Sequence, residues 1–108
     1  MALSRSFRET IKEQLVDAEF RREFLREAVS NMVAGDLETA KAILREYING
    51  TLGFVALGSA LTKSPKSLMR MLSQDGNPQA RNLFEMLAYL QKVEGTVLEV
   101  HAIEATAA

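Results

Sequence analysis

Residues 52 to 90, LGFVALGSALTKSPKSLMRMLSQDGNPQARNLFEMLAYL, constrain the fold more than any other stretch of the chain. Apolar residues recur there at three- and four-residue spacing in three runs, and each run is cut by a helix-breaking signal. The first run, from about Phe54 to Leu61, turns Leu57 and Leu61 inward. The second opens on Ser64-Pro65. A serine hydroxyl can accept from an early backbone N–H, and proline fits the first helical position, where no N–H is needed. Leu68, Met71 and Leu72 form its inner side. Gly76-Asn77-Pro78 breaks the chain again before a third helix, Gln79 to about Lys92, with Leu83, Leu87 and Leu90 on its stripe. Two short helices across a tight turn, the second with Lys66, Ser67 and Arg70 on one face, have the layout of a helix-turn-helix.

The preceding half predicts three more helices. Phe7, Ile11 and Leu15 form one stripe, and Phe20, Phe24, Ala28 and Met32 continue it after Asp17, an N-cap signal. Gly35 suits the left-handed residue that closes a helix and Asp36 the cap of the next. Leu37, Ala40, Leu44, Tyr47 and Ile48 line a third helix that stops at Asn49-Gly50. These stripes read as core. The Tyr47 and Tyr89 hydroxyls read as hydrogen-bonded at its edge. Gly58 reads either as a site of close helix packing or as an incidental weak point.

After Gly95 the pattern changes. TVLEVHAI, residues 96 to 103, is rich in β-branched and apolar residues and predicts one strand. A lone strand leaves N–H and C=O groups without partners, so the expectation is a homodimer paired through it. The whole reads as one domain over residues 1–108, all-α with about six helices and a C-terminal β-strand. Residues 1–34 are a helical lead-in, 36–93 the helix-turn-helix domain and 96–103 the dimerisation strand.

Composition narrows the function. With no cysteine and one histidine, His101, thiolate chemistry, disulfides and cysteine-based zinc sites are excluded, and no cofactor is expected. Nucleophile–base sets, paired carboxylates in a recognisable site and Gly-rich phosphate loops are missing, so the sequence does not read as an enzyme. MALSRSFRETIKEQ is charged throughout, and no run approaches the roughly 18 apolar residues of a membrane span; a cytoplasmic protein with no membrane partner is expected. Net charge is −1, which hides a local excess: between Phe54 and Leu83 the charged residues are Lys63, Lys66, Arg70, Arg81 and Asp75, a net of +3.

Double-stranded DNA is therefore the expected partner. Lys66, Ser67, Met69 and Arg70 are the positions left over once the second helix buries Leu68, Met71 and Leu72. Arg70 and Lys66 suit guanine edges or phosphates, Ser67 can donate or accept, and Met69 suits a thymine methyl. Lys63, Asn77, Gln79 and Arg81 are placed for phosphate, with the N–H groups that open the last helix.

KSLMRMLS at 66–73 and GNPQARNLF at 76–84, with FLREAVSNMVAGDLETAKAILREYIN at 24–49, resemble bacterial addiction-module antidote proteins of the HigA type, which carry a phage-repressor-like helix-turn-helix. The resemblance spans about residues 18 to 100. It implies that Ser64 caps the recognition helix, that Lys66, Ser67, Met69 and Arg70 face DNA, and that Asn77, Gln79 and Arg81 touch its backbone. It further implies a transcriptional regulator, the antitoxin of a toxin–antitoxin pair, with a cognate toxin protein as a second partner. The chain departs from that pattern at the turn, where glycine and an apolar residue are replaced by Thr62 and Lys63. Thr62 there implies strain if its φ is positive. The competing expectation is a protein-interaction module: its N-terminal amphipathic helices dock a partner and its helix-turn-helix is architectural.

Overall fold

The computed structural model describes residues 5–106, with side chains from residue 7 onward. Six helices follow in order: α1 Arg5–Gln14, α2 Ala18–Val33, α3 Leu37–Gly50, α4 Gly53–Leu61, α5 Pro65–Met71 and α6 Ala80–Glu94. Their boundaries fall on the punctuation in the sequence. Asp17 caps α2 by accepting from the Glu19 N–H, and Asp36 caps α3 by accepting from the Thr39 N–H. Gly35 and Gly95 sit at φ +87° and +69°, the left-handed turn that lets the chain leave a helix.

α2 and α3 make the most extensive helix pairing, an αα-hairpin closed by Ala34-Gly35-Asp36. One core runs through all six helices. Leu25 and Ala28 of α2, Leu44 and Ile48 of α3, Leu57 of α4, Leu68 of α5, Leu72 just beyond it and Met86 of α6 are completely shielded from solvent. Ile11 and Leu15 also lie in this core, so the α1 stripe is buried there, whereas Phe7 at its start stays half exposed. Phe20 and Phe24 stack with ring centroids 5.5 Å apart and lie partly buried at the rim. Leu25, one position round from Phe24, thus joins Ala28 of the stripe at the centre of the α2 face. No described helix is long and apolar enough to cross a membrane.

Glu94, at the end of α6, ties three parts of the molecule together. Its Oε1 accepts from Arg21 Nε and from the Tyr47 hydroxyl, both at 2.7 Å, while Arg21 also donates to the carbonyls of Leu15 and Val16. Burial alone pushes the Glu94 carboxyl up. The hydrogen bonds from Arg21 and Tyr47 and the charges of Arg21 and Arg22 outweigh it and hold the group below its ordinary value. Burial, with the adjacent carboxylate, pushes the Tyr47 hydroxyl up.

The expected strand is not there. From Thr96 to Thr106 the described chain forms no helix and no strand. A strand exists only through a partner's hydrogen bonds, and the six helices leave no second extended segment among the described residues to supply them. Thr96 N–H instead donates to the Gln91 carbonyl and Leu98 N–H to Gln91 Oε1 at 2.8 Å. Leu98 packs against the core, and the segment beyond it is exposed.

Candidate nucleic-acid interface

α4 and α5 are joined by Thr62, Lys63 and Ser64. Thr62 lies at φ +56°, ψ +47°, the one non-glycine residue with positive φ in the described chain. A β-branched residue in the left-handed region is strained, and the turn holds Thr62 there. The Lys63 N–H then closes onto the Gly58 carbonyl at 2.9 Å. Gly58 has a packing role: a Cβ there would stand 2.5 Å from the Lys63 carbonyl oxygen and 3.3 Å from the Pro65 nitrogen. The turn can fold back on α4 only because that side chain is missing. Ser64 Oγ accepts from the Ser67 N–H at 3.0 Å, and Pro65 takes the first helical position.

The far end of α5 is held by α3. Lys41 is 1% exposed, and its Nζ donates to the carbonyls of Ser73 (3.0 Å), Gln74 (3.3 Å) and Gly76 (2.6 Å) while pairing with Glu38 Oε2 at 3.0 Å. Arg45 Nη1 donates to the Leu72 carbonyl. Leu72 caps α5 and Ser73, Gln74 and Gly76 follow it, so the two cations satisfy the cap carbonyl and the loop carbonyls just beyond the negative end of the helix. Gly76 fits against the end of α5 so closely that a Cβ would overlap the Arg70 and Met71 carbonyl oxygens.

Held at both ends, α5 points its remaining side chains outward. Lys66, Met69 and Arg70 are exposed, Met69 45% so, while Ser67 is half-buried. Ser64, Asn77, Gln79 and Arg81 are exposed as well. Lys66, Arg70 and Arg81 form no ion pair among the described residues, so their charge is available to solvent or to a ligand. Lys63 differs: it is half-buried and leans toward Glu85 of α6, with Nζ and Oε2 4.0 Å apart. α6 opens at Gln79 with no side-chain cap, which leaves the N–H groups of its first turn unpaired by a side chain, beside Arg81.

The sequence reading missed Lys41 and Arg45. A signal was present: Leu37, Lys41, Leu44 and Ile48 occupy one seven-residue-periodic stripe, so Lys41 stands where the pattern calls for an apolar residue. Glu94 carried no comparable signal, because its partners lie in α2 and α3. Among the described residues, no group of three or more His, Asp or Glu could hold a metal ion. The chain matches no family model, no curated protein and no solved structure in the comparisons made.

Proposed function

We propose that the protein is a sequence-specific DNA-binding transcriptional regulator whose α5 enters the major groove, and that it acts as the antitoxin of a toxin–antitoxin pair repressing its own operon. The observation that supports this best is a short helix fixed at both ends with unneutralised Lys66 and Arg70 on its free face. A rigid helix with free bidentate and point donors is what base-edge readout requires. Arg81, the uncapped α6 N-terminus, Asn77 and Gln79 then bond phosphates on the flank. Lys63, leaning toward Glu85, contributes less than Arg81.

Selection of bound duplexes from a random pool tests the reading. Replacing Arg70 with Ala should cost about 1–3 kcal/mol on the selected site and relax preference at one position. Replacing Arg81 should weaken all sequences alike and lower the salt slope by about one. A pool with no enrichment removes the proposal.

A second reading is supported by a groove between α1, α2 and α3. Phe7, Phe24, Ala42 and Ile43 line a groove of about 350 Å³ with Glu46 beneath. Glu46 is 7% exposed, its Oε2 has no hydrogen bond among the described residues, and the nearest cations are Arg8 at 3.7 Å and Arg45 at 3.8 Å. An apolar groove over a buried carboxylate suits a basic side chain of a protein partner such as a toxin. Phe7→Glu, which places a charge at the half-exposed rim of the groove and away from the Lys41–Arg45 clamp, should abolish such a complex and leave DNA binding intact.

A further inference from the structure

The segment after Gly95 is the longest described stretch outside a helix, and from Thr96 to Thr106 it runs without turn or bend. Its beginning is anchored. Thr96 N–H donates to the Gln91 carbonyl, Leu98 N–H donates to Gln91 Oε1, and the Leu98 side chain packs on the core. Beyond that anchor no hydrogen bond joins the segment to the body among the described residues. Val97, Val100 and Ile103 are 82%, 68% and 87% exposed. Three large apolar side chains and an open backbone edge on an anchored segment make a pairing template.

We propose that residues 97–103 pair antiparallel with the same residues of a second copy, in the register that sets Val100 opposite the partner's Val100. The backbone selects the edge. Successive residues of an extended chain present their N–H and C=O groups to opposite edges. Because the Leu98 N–H is turned onto its own Gln91, the even-numbered edge faces the body and the odd-numbered edge faces outward.

The side chains select the register. About Val100, Glu99 stands opposite the partner's His101, Val97 opposite the partner's Ile103, and Leu98 opposite the partner's Ala102. Each relation occurs twice through the twofold axis. Glu99 and Val97 and their opposites fall on one face. Val100 and Leu98 fall on the other, where Leu98 already touches the core. Centring the pair on residue 99 instead would oppose two Glu99 carboxylates, and centring it on 101 would oppose two imidazoles and set Glu99 against Ile103. Opposite charges and apolar pairs directly across an antiparallel ladder stabilise it, and like charges do the reverse. A two-stranded ribbon alone is marginal; here Leu98 docks each strand on its own helical body. The proposal does not depend on DNA binding.

The test uses the full chain. Light scattering across micromolar concentrations should give the dimer mass. His101→Glu places carboxylates across from each other twice and should raise the dimer Kd about tenfold. Adding Glu99→Lys to that variant should restore the parental Kd, because the swapped charges meet only in this register. The chain has no cysteine, so a single one can be introduced cleanly. Val100→Cys should oxidise to a covalent dimer, since opposed residues of a non-hydrogen-bonded pair have Cα atoms about 4.5 Å apart, within disulfide reach. Ala102→Cys should not, because the two copies of that residue are offset along the ribbon. A monomer mass for the intact chain overturns the proposal. So does a dimer indifferent to His101→Glu, or one that cross-links equally well at both positions.

Discussion

The cations of α3 and those of α5 are the same residue types put to opposite uses. Lys41 and Arg45 turn inward and spend their hydrogen bonds on the carbonyls of Leu72, Ser73, Gln74 and Gly76. Lys66 and Arg70 lie one helix away, turn outward, and meet no acid among the described residues. The first pair holds the second in place: the loop carbonyls they bind are the continuation of α5. A basic residue's role here follows from where the helix stripe puts it. A cation on the apolar stripe must find acceptors, as Lys41 does, or destabilise the fold, whereas Lys66 and Arg70 lie off the stripe with no acid in reach among the described residues and keep their donors open.

The sharpest way to break that contrast is to remove the inward cation. Lys41→Met keeps the stem and deletes the donors, leaving three loop carbonyls without the charged partner they share. It should cost about 3 kcal/mol of stability and lower Tm by roughly 15 °C, measured by thermal unfolding. DNA affinity should fall as well, because the end of α5 is released. A Tm within a few degrees of the parent would show that Lys41 is a passenger.

Glu94 offers a smaller effect with a defined pH signature. Its folded-state carboxyl lies below the ordinary value, so the unfolded chain binds more protons in that window. The stabilisation is complete above the ordinary glutamate value, about 4.3. It is lost as pH falls through that value toward the lower folded one. Glu94→Gln should be less stable by about 1–2 kcal/mol at neutral pH, Arg21 being partly exposed, and should lose less stability than the parent on acidification below about pH 4.5. Parallel acid-unfolding curves for the two proteins would remove the Arg21–Glu94–Tyr47 network from the account.

Smaller again is the turn. Thr62 carries a β-branched side chain at φ +56°. Thr62→Gly relieves that strain but adds freedom to the unfolded chain, for a net gain of about 0.5–1 kcal/mol in denaturant unfolding. If the variant is less stable than the parent, the strain assigned to this turn is wrong.

Much of the fold was legible because helix punctuation is local. Asp17, Asp36, Ser64-Pro65 and Gly95 act on their own neighbours, so six helices follow from the sequence with their ends in place. The outward positions of α5 were legible for the same reason, as the residues left over from the stripe. The α3 clamp was half-visible, since Lys41 interrupts an apolar stripe but nothing in the sequence says which carbonyls it meets. The Glu94 network was not visible at all, because its partners lie 47 and 73 residues away. The strand failed for a related reason: β-propensity describes how side chains fit a sheet, and the sheet needs a partner strand that the described residues do not supply.

The inward cations of α3 serve the fold, and the proposed role of the outward cations of α5 is to serve a ligand. Binding of a fluorescent selected duplex, at two salt concentrations, by the parent and by a Lys66→Ala, Arg70→Ala double variant tests it most directly, with Tm measured on the same samples. The double variant should keep its Tm within the equivalent of about 0.5 kcal/mol, lose at least tenfold in affinity and show a shallower salt slope. Unchanged DNA binding by the double variant, at unchanged Tm, would contradict that role.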